Sequence, residues 1–140
     1  MPTSGADRIA RLVLDTSAYS RFRAGHPAVL DLLAAADVVL VPVTVLGELE
    51  AGFELGTRAR ENRAVLASFL DEPSVAVLPV TPDVARHYGR MLARLKRAAT
   101  PVPTNDIWIA AAAADCGGEL LTFDEHFAKI EGLGCVVLKG

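Results

Sequence analysis

Leu12-Val13-Leu14-Asp15-Thr16-Ser17 is a short, wholly apolar run stopped by an acid and two hydroxyls. An apolar run of this kind, with no polar alternation, reads as a strand buried on both faces, the kind found in parallel sheets. The pattern recurs along the chain: residues 38–41, 75–78, 120–122 and 136–138 read as further strands. Between them lie helical stretches at 27–36, 44–53, 57–70, 82–97 and 105–116. Pro27 suits a first helical turn, Thr81 is a fitting N-cap for the helix that follows it, and Gly117-Gly118 closes the helix before it. Repeated strand-then-helix order predicts a three-layer α/β/α sandwich around a mainly parallel sheet. Residues 1–10 read as a tail and 11–140 as one domain, a usual size for a single core.

Hydrophobic residues make up 51% of the 140, more than one small core needs, which predicts apolar surface reserved for another chain. Cys116 and Cys135 form neither a CxxC pair nor a ladder of spacings, so no disulfide framework or zinc site is indicated, and a reducing compartment is expected. No N-terminal run resembles a targeting signal, and the apolar stretches fall short of the about 20 residues of a membrane span. A cytoplasmic, membrane-free protein is the expectation.

Four acids stand out because ligands of an open parallel sheet gather beyond the carboxyl ends of its strands. Asp15 follows the first strand and Asp124 lies just past the fourth. Glu48 sits on a helix in the otherwise apolar VTVLGELEAG, and Asp106 opens the helix NDIWIAAAAA, of which it is the polar end. Taken singly, each has a plain structural role as a helix cap, a dipole partner or half of an ion pair. Taken together, four acids from four elements converge on one sheet edge, and such a crowd needs a cation to stay ionised.

Oxygen ligands without neighbouring Cys or His favour Mg²⁺ or Mn²⁺. His26, His87 and His126 show no metal-binding spacing and read as surface or partly buried residues. A carboxylate cage of this type suits phosphodiester hydrolysis by metal-activated water. There is no GxxxxGK[ST] phosphate loop. The net charge of −3 speaks against a nucleic-acid partner until the four acids are set aside, which leaves the rest of the chain at +1. Eight of the 14 basic residues fall between Arg58 and Arg97, and Arg86, Arg90, Arg94 and Arg97 recur at helical spacing. That stripe fits a phosphate grip, the seat of an acidic protein segment, or an ordinary solvated face.

The motifs LVLDTS (12–17), GEL (47–49) with Gly52, NDIWIAA (105–111) and LTFDEHF (121–127) resemble, in order, the four acidic motifs of PIN domains, and most closely those of VapC-like toxins. The resemblance spans residues 11–138. It implies a Mg²⁺- or Mn²⁺-dependent endoribonuclease with Asp15, Glu48, Asp106 and Asp124 at its metal site, Asp15 and Asp106 foremost. It further implies that Ser17 and Thr122 orient the carboxylates, that Glu125 is the substitute should Asp124 not serve, and that the chain forms a homodimer inhibited by a VapB-like antitoxin. The fourth motif is the least constant of such families. The competing expectation is a non-catalytic PIN-like module that binds protein or RNA. An aspartyl phosphatase would need a second Asp two residues after the first, where Ser17 stands.

Overall fold

A computed structural model describes residues 8–140. Its elements run β1 (Ile9–Leu14), α1 (Thr16–Arg23), α2 (Pro27–Ala35), β2 (Ala36–Pro42), α3 (Val43–Leu55), α4 (Ala59–Leu70), β3 (Val75–Leu78), α5 (Pro82–Arg97), α6 (Thr104–Cys116), β4 (Glu119–Thr122), a 3₁₀ turn (Glu125–Lys129) and β5 (Gly134–Val137). The five strands form one sheet in the order β3-β2-β1-β4-β5, every pair parallel. Chain order runs outward from β1 to β3, then returns to the other side of β1. The switch therefore falls between β1 and β4, whose carboxyl ends bound the crevice where such sheets take their ligands.

Both faces of the sheet are covered, as the unbroken apolar runs predict. Leu12, Leu14, Val39 and Leu121 pack with Ala18 of α1 and Val29 of α2. On the opposite face Val13, Leu40 and Leu120 meet Met91 and Leu95 of α5 and the alanine run Ala110–Ala113 of α6. The alanines let α6 lie close to the sheet, which fixes where its N-terminus, and hence Asp106, can stand.

β1 and α1 depart most from the sequence reading. β1 starts at Ile9, paired to Ala36, so the tail expected through residue 10 gives way to sheet two residues earlier; its residues 1–7 lie outside the described part. The helix α1 was not anticipated. Its sequence, TSAYSRFR, spans only about two turns and is mostly Ser, Thr and aromatic residues of middling propensity, so it depends on Asp15 capping and on packing of Ala18 and Tyr19 rather than on propensity alone. Some of the apolar excess is on the surface: Leu55 is 89% exposed, and Val43, Val80 and Leu30 are also open. Among the described residues no helix is long and apolar enough to cross a membrane.

The end of α5 holds backbone strain. Thr100 N–H bonds Leu95 C=O at 2.9 Å and Ala99 N–H bonds Lys96 C=O at 3.1 Å, closing the helix with Ala99 at φ 52°, where glycine normally sits. Left-handed backbone costs a residue with a Cβ about 1–2 kcal/mol, against about 0.4–1 kcal/mol of unfolded-chain entropy gained by removing it. Ala99→Gly should therefore stabilise the fold by about 0.5–1 kcal/mol, read as a melting temperature higher by about 1–4 °C. A lower melting temperature would refute the strain.

Candidate functional site

Asp15 is the anchor. It is only 4% exposed, and it caps α1 from the carboxyl end of β1. Its Oδ1 accepts from Ala18 N–H at 2.8 Å and from the Ser17 hydroxyl at 2.7 Å, while Oδ2 accepts a short bond from the Thr122 hydroxyl across the β1–β4 seam. Both hydroxyls are themselves held: Ser17 Oγ accepts from Phe123 N–H at 3.1 Å, and Thr122 Oγ1 accepts from Asp124 N–H at 2.9 Å. Thr122 is fully buried. Asp15 thus has a fixed orientation, and three of the about four acceptor positions of its carboxylate are used, leaving one for a further ligand.

Glu48, on α3, faces the same crevice. Its Oε1 accepts from Thr16 Oγ1 at 2.5 Å and its Oε2 from Asn105 Nδ2 at 3.4 Å, so it links the first turns of α1 and α6. Asp106 lies one residue further along α6, half-buried. Asp124 caps the 3₁₀ turn, its Oδ1 accepting from His126 N–H at 2.9 Å, with His126 Nδ1 3.0 Å from the same oxygen. One ligand atom from each of Asp106, Asp124 and His126 falls within 4.8 Å of the others, a spacing that one cation can bridge. Glu125, beside Asp124, is exposed and opens the 3₁₀ turn.

The electrostatics show how closely the four acids stand. The Asp106 carboxyl is pushed up from 3.8 to about 6, first by burial and then by the charges of Asp124, Glu48 and Asp15, with His126 pulling the other way. Burial also raises Asp15, against the lowering effect of its Thr122, Ala18 and Ser17 bonds, and Asp124 adds to the rise. Four carboxylates are therefore within electrostatic reach at one sheet edge, with too little positive charge around them. A hard divalent cation matches that donor set.

A pH dependence follows. A folded-state pKa raised above the unfolded value means that the fold favours the protonated acid. Asp106 thus costs the metal-free chain stability as pH rises from 3.8 through about 6 and returns it on acidification. Cation uptake has the opposite sign, since it needs the ionised form: Mn²⁺ affinity should be flat above neutrality and fall about tenfold per pH unit below about 6. Calorimetric titration across pH 5–8 checks this, and a pH-independent affinity would contradict it.

His126 is the residue that sequence reasoning left outside the site. It is exposed, as expected, yet its ring sits against Asp124. No metal-site spacing rule signals this, because Asp106 comes from a different element; the one available signal was the place of His126 two residues after Asp124. Thr16 and Asn105, which hold Glu48, were likewise unassigned. His26 and His87 lie elsewhere, at the N-cap of α2 and beside Asp115. A cleft of about 460 Å³ lined by Ser17, Phe123, Asp124, Glu125, His126 and Lys129 leads to the acids. A larger one of about 550 Å³, between Phe22, Leu33, Val65 and Phe69, is lined mostly by apolar side chains with Glu72 as its one acid.

Residues 12–133 match the family model described as PIN domain. The chain is 32% identical over 124 residues to Ribonuclease VapC5 of Mycobacterium tuberculosis, covering 89% of this chain and 90% of that protein. Among solved structures it is similar to VapBC-5 of Mycobacterium tuberculosis, a member of the VapBC family of toxin-antitoxin systems. That match has a TM-score of 0.71 and 30% identity over 94% of this chain and 99% of the other. VapBC2 from Rickettsia felis, bound to a DNA fragment from its promoter, superposes with a TM-score of 0.82 over 92% of this chain and 99% of the other. At 20% identity that is a likeness of fold.

Proposed function

The chain belongs to the PIN-domain family, and from that premise we propose that it is a divalent-metal-dependent endoribonuclease, the toxin half of a VapBC-like toxin–antitoxin pair. Beyond the family match, the strongest support is geometric: Asp15, Glu48, Asp106 and Asp124 come from four separate elements to one sheet edge, close enough that burial and the other three acids lift the Asp106 carboxyl to about 6. Capping and bridging account for Asp15, Asp124 and Glu48 one at a time, but not for the mutual repulsion of four carboxylates at a sheet switch point, and a cation resolves that conflict.

Asp15, Asp106, Glu48 and Asp124 are the residues that would hold Mg²⁺ or Mn²⁺, with His126 adjoining. Such an ion supplies charge neutralisation at the scissile phosphate and acidifies water for attack. The chain's own residues do the positioning. Ser17, Thr122 and the Ala18 N–H fix Asp15, and Thr16 with Asn105 fixes Glu48. In hydrolysis a water oxygen bonds to phosphorus, a P–O ester bond breaks, and the leaving oxygen takes up a proton.

A VapB-like antitoxin is the expected partner, since the similar solved proteins are VapBC toxin–antitoxin complexes. Homodimerisation agrees with the exposed apolar side chains, and the cytoplasm with two unpaired, half-buried thiols at Cys116 and Cys135. The test is cleavage of a mixed cellular RNA pool by purified protein in Mg²⁺, Mn²⁺ or EDTA. Defined fragments that appear only with metal are the expected result. No cleavage by folded protein free of co-purified inhibitor would return the chain to the class of non-catalytic binding modules.

A further inference from the structure

We propose that the cleft between the end of α5 and the 3₁₀ turn is a subsite for the sugar-phosphate backbone of RNA, with Arg94, Arg97 and Lys129 as its phosphate ligands; this rests on the ribonuclease reading above. The acid cluster cannot hold a polyanion by itself, because it repels everything in the substrate except the phosphodiester its cation takes up. The rest of the strand must be held by positive charge outside the cage.

The cleft has about 340 Å³ of open space, with Met91, Leu95 and Ile130 in its lining. Those three are buried, so the floor is firm. Arg94, Arg97 and Lys129 stand in the same lining against one acid, Glu131. The Arg94 guanidinium reaches across to the far wall, where a Cβ on Gly132 would lie 3.9 Å from its Nη1. Among the described residues none of the three cations is in an ion pair, whereas Arg63 is taken up by Glu50 and Glu54 and Arg86 by Asp83. Arg90 lies 3.4 Å from His87 Nδ1. The arginine stripe read from the sequence thus divides: its first half is occupied locally, and its second half opens on a cavity.

Continuity with the acidic site decides the ligand. Lys129 lines this cleft and also the one containing Ser17, Asp124 and His126. The 3₁₀ turn between Asp124 and Lys129 advances only about 10 Å at about 2 Å per residue, so the two clefts are neighbours on either side of Lys129, within the span of a few nucleotides. A strand lying along them would present one phosphodiester to the acids and the next few phosphates to the three cations. An acidic peptide would meet the same cations but would bring no phosphodiester to the acidic site beside them.

The experiment measures binding of a short single-stranded RNA to Asp106→Asn protein, which leaves the strand intact, with and without the triple substitution Arg94→Ala, Arg97→Ala, Lys129→Ala. Affinity should fall at least tenfold at low salt, and the slope of log K against log salt should drop by about 2, at about 0.7 per lost phosphate contact. Arg86→Ala with Arg90→Ala should leave both unchanged, and Arg97→Lys should keep the slope. On the otherwise wild-type chain the triple substitution should raise KM for RNA with kcat and Mn²⁺ affinity preserved. An unchanged slope and KM, with metal-dependent cleavage intact, would overturn the subsite and leave the nuclease standing. Loss of poly-glutamate binding with RNA affinity intact would overturn it in favour of an acidic protein segment. A wild-type chain that neither binds nor cuts RNA would overturn both.

Discussion

Asp106→Asn is expected to reduce RNA cleavage on the order of 10³-fold while leaving the metal-free fold as stable as, or more stable than, the wild type. The two effects share a cause. The carboxyl is lifted to about 6 by burial and by Asp124, Glu48 and Asp15, so ionising it at neutral pH works against the metal-free fold. An amide of the same shape removes that conflict. The charge that opposes folding is also the one that would hold the proposed cation, and a cation centre supplies several kcal/mol of transition-state stabilisation, each 1.36 kcal/mol being tenfold in rate. Wild-type protein should therefore gain melting temperature on Mn²⁺ addition, and the variant should gain little. Fluorescence of Trp108, the single tryptophan, reports unfolding of both. A variant that cleaves within tenfold of wild type, or one that melts well below it without metal, would contradict this account of Asp106.

The same substitution at Asp15 is expected to destabilise the fold as well. The oxygens of Asp15 accept from Ala18 N–H and from two hydroxyls, so it is a structural cap and a site acid at once. The simple capping role weighed from sequence is thus real, and it is compatible with the proposed role at the metal site. The four acids were legible because each is a polar interruption of an apolar stretch, at the end of an element for Asp15, Asp106 and Asp124 and inside a helix for Glu48, a local signal. The strands were legible for the same reason, since fully buried parallel strands show as unbroken apolar runs. What was not legible depends on three-dimensional neighbours. His126 meets Asp124 through the shape of a 3₁₀ turn, and α1 depends on Asp15 and the sheet to form. Of the arginine stripe, the helical face could be read from spacing. Which of its members are occupied by Asp83, and which face a cavity, could not.

The Gly117-Gly118 pair shows the same limit, because the sequence marks both as a helix stop while the structure gives them unrelated tasks. Gly117 ends α6 at φ 67°, in open space apart from an Arg11 Nη1 at 3.9 Å from any added Cβ. Alanine there costs about 1 kcal/mol of left-handed strain. Gly118 has no positive φ but is pressed against β1. A Cβ on it would lie 2.8 Å from Val13 Cγ2, 3.1 Å from Cys116 Sγ and 3.2 Å from the Arg11 carbonyl oxygen. Val13 is fully buried and the carbonyl belongs to a sheet strand, so neither can step aside. Overpacking at such a point costs about 1–3 kcal/mol, and the upper half applies where backbone must move. Gly118→Ala should lower the melting temperature by about 5–10 °C, clearly more than Gly117→Ala. The displacement is also placed to reach the chemistry. β4 starts at Glu119, Leu120 lies opposite Val13, and Thr122 ends the strand with its hydroxyl on Asp15. Any shift of β4 along β1 moves that hydroxyl away from the carboxylate it orients, so Gly118→Ala should weaken Mn²⁺ binding under conditions where the protein is still folded, and Gly117→Ala should not. If the two alanine variants prove equal in melting temperature and in metal affinity, the β1–β4 seam is not what holds Asp15 in place.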